Sequence, residues 1–331
     1  MKKSPGKFII SLDLELGWGS SDWSAAGSYA GNIQRGRAVI PEVLDLFTRY
    51  EIHTTWAAVG FLFFPDRENL LKGLPLIRPE YDREELSSYS LIPQLGRNEG
   101  EDPLHYGAAL IETIRAKPYQ EIGTHTLSHY YCLAAGQNRA SFQADLRAAK
   151  KSADRSDIKI ESIVFPRHQA NPLYLPICRK EGIIAYRGIN DAVWMYRAGR
   201  RESLFSRIGR LLDTYLPISG CNAYRVEPAR PGEPVNVRES RFLRPCLSGG
   251  NLLEQLRLRR ILTDLSFAAV NGLAYHLWWH PHNFGAATDR NLAFLRKIFD
   301  HYQRLRKQYG MVSRNMSEVA RDLISPPEGI I

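Results

Sequence analysis

Cysteine is scarce in this chain: Cys132, Cys178, Cys221 and Cys246 are its only four, far apart, with no CxxC pair among them. That argues against a cysteine-built structural zinc site and suggests a reducing compartment. Long apolar runs are missing too. No stretch of about 18 apolar residues is present, so nothing reads as a membrane-spanning helix. The opening "MKKSPGKFIISLDLEL" carries the lysines of a secretory leader, but Pro5, Gly6 and Lys7 follow, and Asp13 and Glu15 cut the apolar run. It does not read as a cleavable signal, and the expected location is cytoplasmic. There is no internal repeat and no low-complexity tract, which speaks against a solenoid and against disorder over most of the length.

What is present is ordinary for a folded protein: 44% apolar and 24% charged residues. The 331 residues suit one large α/β domain of about 250 residues with additions, or two ordinary domains. The formal charge is +9, from 44 Lys and Arg against 35 Asp and Glu. Such an excess favours anionic partners: a phosphorylated substrate, nucleic acid or an acidic membrane surface. Nucleic acid is the least expected, because the basic residues show no stacking pattern with aromatics.

Apolar, β-branched runs predict strands at 7–16, 53–64, 121–126, 160–167, 183–189 and 273–281. Helical periodicity lies between them, at 35–50, 106–117, 139–154, 171–182 and 251–270, and closes the chain at 288–309 and 315–324. Residues 65–106 and 190–250 break the rhythm and read as insertions; five prolines fall within 217–245. Alternating strands and helices imply a mainly parallel sheet, with ligands at the carboxyl ends of its strands.

Titratable residues gather at those ends. In "SLDLELG", Asp13 and Glu15 alternate along a strand and share a face, where two carboxylates repel unless a cation or solvent compensates them. In "EIGTHTLSHYY", His125 and His129 are four apart, as on one face of a helical turn, and can hold one metal ion; the same spacing also occurs in hydrogen-bonded features with no metal. "VFPRHQ" places Arg167, and "LWWHPHNFG" places His280, on the same rim. Trp18, Trp278 and Trp279 suit the walls of a sugar- or acyl-binding cleft and suit a core equally well.

In that order, "SLDLELG", "HTLSH", "FPRHQ" and "LWWHP" make the chain resemble the polysaccharide deacetylase family, over about residues 7–325. The resemblance implies a single catalytic domain spanning 1–331, a distorted (β/α) barrel of the NodB-homology type with insertions. It implies one divalent metal, zinc first and cobalt, nickel or iron as alternatives, held by Glu15, His125 and His129. Asp13 would be the general base, His280 the general acid for the departing amine, and Arg167 the side chain that orients Asp13. The family's adjacent aspartates are here Asp13-Leu14-Glu15, which leaves the two acid roles exchangeable, and Pro166 precedes Arg167 instead of following it. A loose match to a further motif in "NDAVW" adds Asp191 and Trp194 as substrate contacts.

The expected activity is therefore removal of an N-acyl group, acetyl first, from an amino sugar of a cell-surface glycan, O-antigen or a lipid- or nucleotide-linked precursor. The alternatives are a deformylase or amidase on a non-glycan compound, and a catalytically silent glycan-binding module. The stretch 196–215 interleaves Arg197, Arg200, Arg201, Arg207 and Arg210 with Leu204, Phe205, Ile208, Leu211 and Leu212. It reads either as a surface helix packed on the barrel or as one lying on an acidic membrane face. Arg200 and Arg201 are candidate contacts to a substrate phosphate.

Overall fold

The computed structural model describes residues 4–19, 26–189, 204–246 and 251–324. Its elements run β1 (Lys7–Leu14), α1 (Ala26–Tyr50), β2 (Thr54–Ala58), α2 (Arg67–Lys72), α3 (Ala108–Arg115), β3 (Gln120–Thr124), α4 (Arg139–Asp154), β4 (Ser162–Val164), α5 (Leu175–Lys180), β5 (Ala185–Arg187), α6 (Leu204–Asp213), β6 (Val235–Asn236), β7 (Arg241–Phe242), α7 (Asn251–Asn271), β8 (Ala274–Trp279), α8 (Thr288–Tyr309), β9 (Val312–Arg314) and α9 (Met316–Ile324). The strands form one sheet in the order β6-β5-β4-β3-β2-β1-β8-β7, every pair parallel. β9 lies beside the first half of β1, while β2 pairs with its second half. Among the described residues β6 and β7 do not pair, so the sheet is a barrel with an open seam. This is the distorted (β/α) barrel of the NodB-homology type expected above.

Alternation along the strands sorts the side chains into two layers. Phe8, Ile10, Leu12 and Leu14 of β1 face outward into the large core beneath α1, α7 and α8, each at most 1% exposed. Burying a side chain of this size stabilises by about 1.5–3 kcal/mol. The opposite face points into the barrel. At one end it is closed by Ile9, Ala57, Val164, Ala185, Val235 and Ala274 packed against Met316, Val319 and Ala320 of α9. Toward the carboxyl ends of the strands the inward series becomes polar: Ile9, Ser11, Asp13 on β1, and Ala274, His276, Trp278 on β8.

Three strands lie outside the sequence expectation. β6 and β7 have two residues each and sit in the proline-rich stretch, and β9 has three. Segments so short carry no period for the sequence to display. The first insertion, 65–106, contains α2 and 3-10 turns at Glu84–Leu86 and Ser88–Gln94.

Candidate metal centre and catalytic cavity

Asp13 ends the inward series of β1, and the chain turns immediately after Glu15 through Leu16, whose φ is 46°. Both acids are buried. A pair of carboxylates taken out of water needs partners, and each has a different set. Arg187, the last residue of β5, donates from Nη1 to Asp13 Oδ1 and from Nη2 to Oδ2, both at 2.7 Å. Nη1 also donates to Ser11 Oγ at 2.9 Å. Burial raises the Asp13 carboxyl, but Arg187, with His125 and His280, outweighs it and holds the group down at about 2. Arg187 is itself 1% exposed and lies 4.3 Å over the Trp278 ring.

Glu15 faces histidines instead. Its Oε1 lies 3.0 Å from His125 Nε2, 3.4 Å from His129 Nε2 and 3.5 Å from His280 Nε2. Burial would raise this carboxyl, and His280 first, then His125 and His129, keep it well below the usual range. The His280 imidazole also comes within 3.8 Å of Asp13 Oδ2. Burial lowers the pKa of His280, and Glu15 and Asp13 more than reverse it. His129 goes the other way, because burial dominates over its attraction to Glu15.

The two histidines do not sit on a helical turn. His125 continues the inward series of β3 after Glu121 and Gly123, and its N–H donates to Ala58 O at 2.7 Å. The chain then loops through Thr126 and His129, both left-handed, with φ of 64° and 55°. The intervening hydroxyls and N–H groups fix this loop. Tyr130 N donates to Thr126 Oγ1 at 2.7 Å, and Leu127 N and Ser128 Oγ donate to the buried Asp145 of α4 at 2.7 and 2.5 Å. The loop, not a helix, brings the imidazoles to a centroid separation of 5.1 Å.

Glu15, His125 and His129 each offer one donor atom, all within 4.8 Å of one another. Two ligands about 2.1 Å from one tetrahedral ion are roughly 3.4 Å apart, which is close to the observed Glu15–histidine separations. His125 Nε2 is buried, and although it is 3.0 Å from Glu15 it makes no hydrogen bond there or elsewhere. A buried imidazole nitrogen with nothing to bond is costly in a metal-free interior, and a divalent cation beside Glu15 removes that cost. The donor set, one carboxylate and two imidazoles, fits zinc, cobalt, nickel or iron.

The cluster opens into a cavity of about 530 Å³, lined among others by Asp13, Glu15, His129, Arg167, Glu239, Phe242, Trp278 and His280. Glu239, from the loop between β6 and β7, is pushed up to about 7, first by burial, which the nearby Arg187 only partly offsets. Trp278 stacks in a tilted arrangement on Phe242, ring centroids 4.6 Å apart, and the two form an aromatic wall.

Several sequence expectations land elsewhere. Arg167 lines the cavity over the Tyr131 ring, 5.3 Å away, and Arg187 takes the Asp13 carboxylate. Arg167 and His168 are both left-handed, φ 49° and 54°, so the chain leaves the inward alternation of β4 there. Trp279 points outward on β8 and is fully buried against Phe284 and Phe47. Trp18 is a core residue whose Nε1 donates to His105 O at 2.8 Å, tying the turn after β1 to the first insertion. Asp191, Trp194, Arg200 and Arg201 lie outside the described residues. Arg187 itself was hidden in "IIAYRGI", where only its place at a strand's carboxyl end marks it.

No protein-family model and no curated protein sequence matches this chain. Solved structures do. A protein of Mycobacterium smegmatis assigned as a polysaccharide deacetylase aligns at TM-score 0.60 and 11% identity over 98% of this chain and 91% of its own. Another so assigned, from Pseudomonas aeruginosa PAO1, aligns at TM-score 0.56 and 11% identity, covering 95% and 89%. The fold is that of the polysaccharide deacetylases. Puue allantoinase also shares it, at TM-score 0.54 and 12% identity over 97% of this chain and 91% of that one. Identities this low fix the polysaccharide-deacetylase architecture and leave the reaction to the side chains.

Proposed function

We propose that this chain is a divalent-metal-dependent hydrolase that removes an N-acyl group, acetyl first, from an amino sugar of a cell-surface glycan, an O-antigen or a precursor of either. One observation carries the proposal. Glu15, His125 and His129 converge their donor atoms beside an Asp13 that Arg187 holds ionised, with His280 within 4 Å of both acids. A metal-free binding module has no use for that arrangement. Zinc is the first candidate, and Glu15, His125 and His129 would hold it. When bound, such a cation polarises a carbonyl and makes water a better nucleophile at neutral pH.

The chain's own groups supply the rest. An Asp13 carboxylate oxygen takes the proton of the water that attacks the amide carbonyl. Arg187 fixes both of its oxygens, so the base is aimed before substrate arrives. Nε2 of His280 gives a proton to the departing nitrogen. The Trp278–Phe242 wall offers a face for a sugar ring, and the cavity volume suits a ligand of one or two rings. We place the reaction in the cytoplasm on the scarcity of cysteine; separately, no described helix is long and apolar enough to cross a membrane.

The test is metal analysis of the purified protein followed by a mass-spectrometric screen of N-acylated sugars and non-glycan N-acyl compounds. Asp13→Asn is expected to abolish acyl release with metal retained, and His125→Ala to weaken metal binding itself. Acyl release confined to non-glycan compounds would replace the sugar with another amide substrate, and a protein that takes up no divalent metal would sink the proposal.

A further inference from the structure

Beyond Phe242 the same cavity turns basic. Its lining there includes Arg210 and Asp213 of α6, Thr214, and Arg241 and Arg244. Phe242 separates the two halves: its ring is 6.1 Å from the His280 ring on one side and 6.0 Å from the Arg244 guanidinium on the other.

Most of the cations near this wall are paired among the described residues. Arg241 and Arg260 share Asp213 and Asp264, with separations of 3.6 and 3.7 Å for Arg241 and 3.6 and 3.4 Å for Arg260. Two cations and two anions leave that group neutral. Arg257, nearby, is paired with Glu254. Arg244 stands outside both sets. Its Nε donates to Thr214 Oγ1 at 3.1 Å, and no carboxylate lies within ion-pair distance of it among the described residues. Burial lowers its pKa, and the like charges of Arg210 and Arg257 add to the effect. Arg241 keeps Nε and Nη2 buried without a hydrogen-bond partner. The remaining carboxyl, Glu239, is near half-protonated at neutral pH for the reason given above.

Crowding cations in a half-buried wall costs stability unless an anion joins them. Guanidinium forks match phosphate oxygens two at a time. From this placement we infer that Arg210, Arg241 and Arg244 form a subsite for a phosphate group carried by the substrate, with the sugar ring against Phe242 and Trp278 and the N-acyl group at the metal centre. The inference rests on the hydrolase reading and narrows it: the substrate is a phosphorylated N-acyl amino sugar, not a neutral polymer. The outward side chains of α6, Leu204, Ile208, Leu211 and Leu212, are exposed and apolar. The phosphate therefore belongs either to a soluble sugar phosphate or to a lipid phosphodiester, and the experiment separates these.

The full chain with zinc is assayed for acyl release from N-acetylated amino sugars, their 1-phosphates and the corresponding polyprenyl phosphodiesters. Binding of inorganic pyrophosphate is measured separately by calorimetry, with no metal added. The phosphorylated sugars are expected to show kcat/KM at least about tenfold above the neutral ones, through KM. Arg244→Gln and Arg210→Gln, each checked for an unchanged melting temperature, are expected to remove that preference. Faster turnover of the polyprenyl esters than of the soluble 1-phosphates identifies a lipid-linked substrate, and the reverse a soluble one; both keep the subsite. Equal kcat/KM for phosphorylated and neutral sugars in the unaltered protein overturns the subsite and leaves the hydrolase standing. Absence of acyl release from every compound overturns the hydrolase, and calorimetry then decides the subsite alone. Pyrophosphate binding weakened about tenfold by Arg244→Gln keeps it; no binding, or binding indifferent to the substitution, removes it.

Discussion

Arg187 and Asp13 face each other from β5 and β1, strands that are not neighbours in the sheet, and meet across the barrel interior in a two-pronged pair at 2.7 Å on each prong. Ser11 Oγ joins from below, and the His276 imidazole lies 2.8 Å from that hydroxyl. Burial keeps His276 neutral, down at about 3, so the network adds no further charge. Below the catalytic cluster, the floor of the site is thus a single cation and a single anion backed by the neutral Ser11 and His276.

Removing one half of that pair strands the other. Arg187→Met is expected to cost about 3–5 kcal/mol in urea unfolding, because Asp13 loses its partner in the interior. Adding Asp13→Asn to it should return part of the loss. A double variant whose loss equals the sum of the two single losses would show that the pair is not coupled.

Metal binding should register as stability. In the absence of substrate, zinc at about a hundredfold above its Kd is expected to stabilise the protein by about 2.7 kcal/mol, seen as a rise in melting temperature. Glu15→Gln, His125→Ala and His129→Ala should each shrink the rise, and Asp13→Asn should preserve it. If Asp13→Asn erases the rise and Glu15→Gln does not, the two acids have exchanged roles.

Asp145 gives a pH dependence of its own. Burial raises it to about 6, against the hydrogen bonds from Ser128 and Leu127 that pull it down. A raised carboxyl binds its proton more tightly in the folded state, so its contribution is full below the unfolded value near 3.9 and is lost as pH climbs through about 6. The stability of the unaltered protein relative to Asp145→Asn is therefore expected to fall by up to roughly 3 kcal/mol between pH 4 and pH 7. A difference that stays flat, or grows, over that range would contradict the sign.

Close packing behind His280 supplies another test. A Cβ on Gly36 of α1 would come within 2.3 Å of His282 Cα and 2.9 Å of Pro281 O, so backbone must move to admit it. Gly36→Ala is expected to destabilise by about 1–3 kcal/mol. It should also lower kcat more than it weakens metal binding, since it displaces the turn that carries the proposed acid while β1 and β3 stay in place. Metal titration and steady-state kinetics on the one variant would check both halves.

The parts of this molecule that could be read from sequence are those with a period. The alternation that put Asp13 and Glu15 on one face of β1 also governs β8, where Trp278 and His280 turn inward and Trp279 outward. Helices long enough for several turns, such as α4 and α8, begin and end at the expected residues. What stayed hidden depends on contacts between distant segments. Nothing local to "IIAYRGI" says that Arg187 will reach Asp13, and the loop of His125 and His129 imitates a helical spacing while using left-handed turns. β6 and β7 follow their neighbours' edges, with no pattern of their own.

The open seam divides the labour within the site. The residues proposed to bind metal and move protons stand on or beside β1, β3, β5 and β8, in the unbroken ladder. The wall beyond Phe242 hangs on α6 and on the two-residue strand β7, joined by the buried Arg241–Asp213 pair, and Arg210 and Arg244 lie outside that pair. Side chains on that flank can therefore be exchanged, in evolution or by design, with little disturbance to the hydrolytic centre, so a change of substrate in relatives of this chain should be written there.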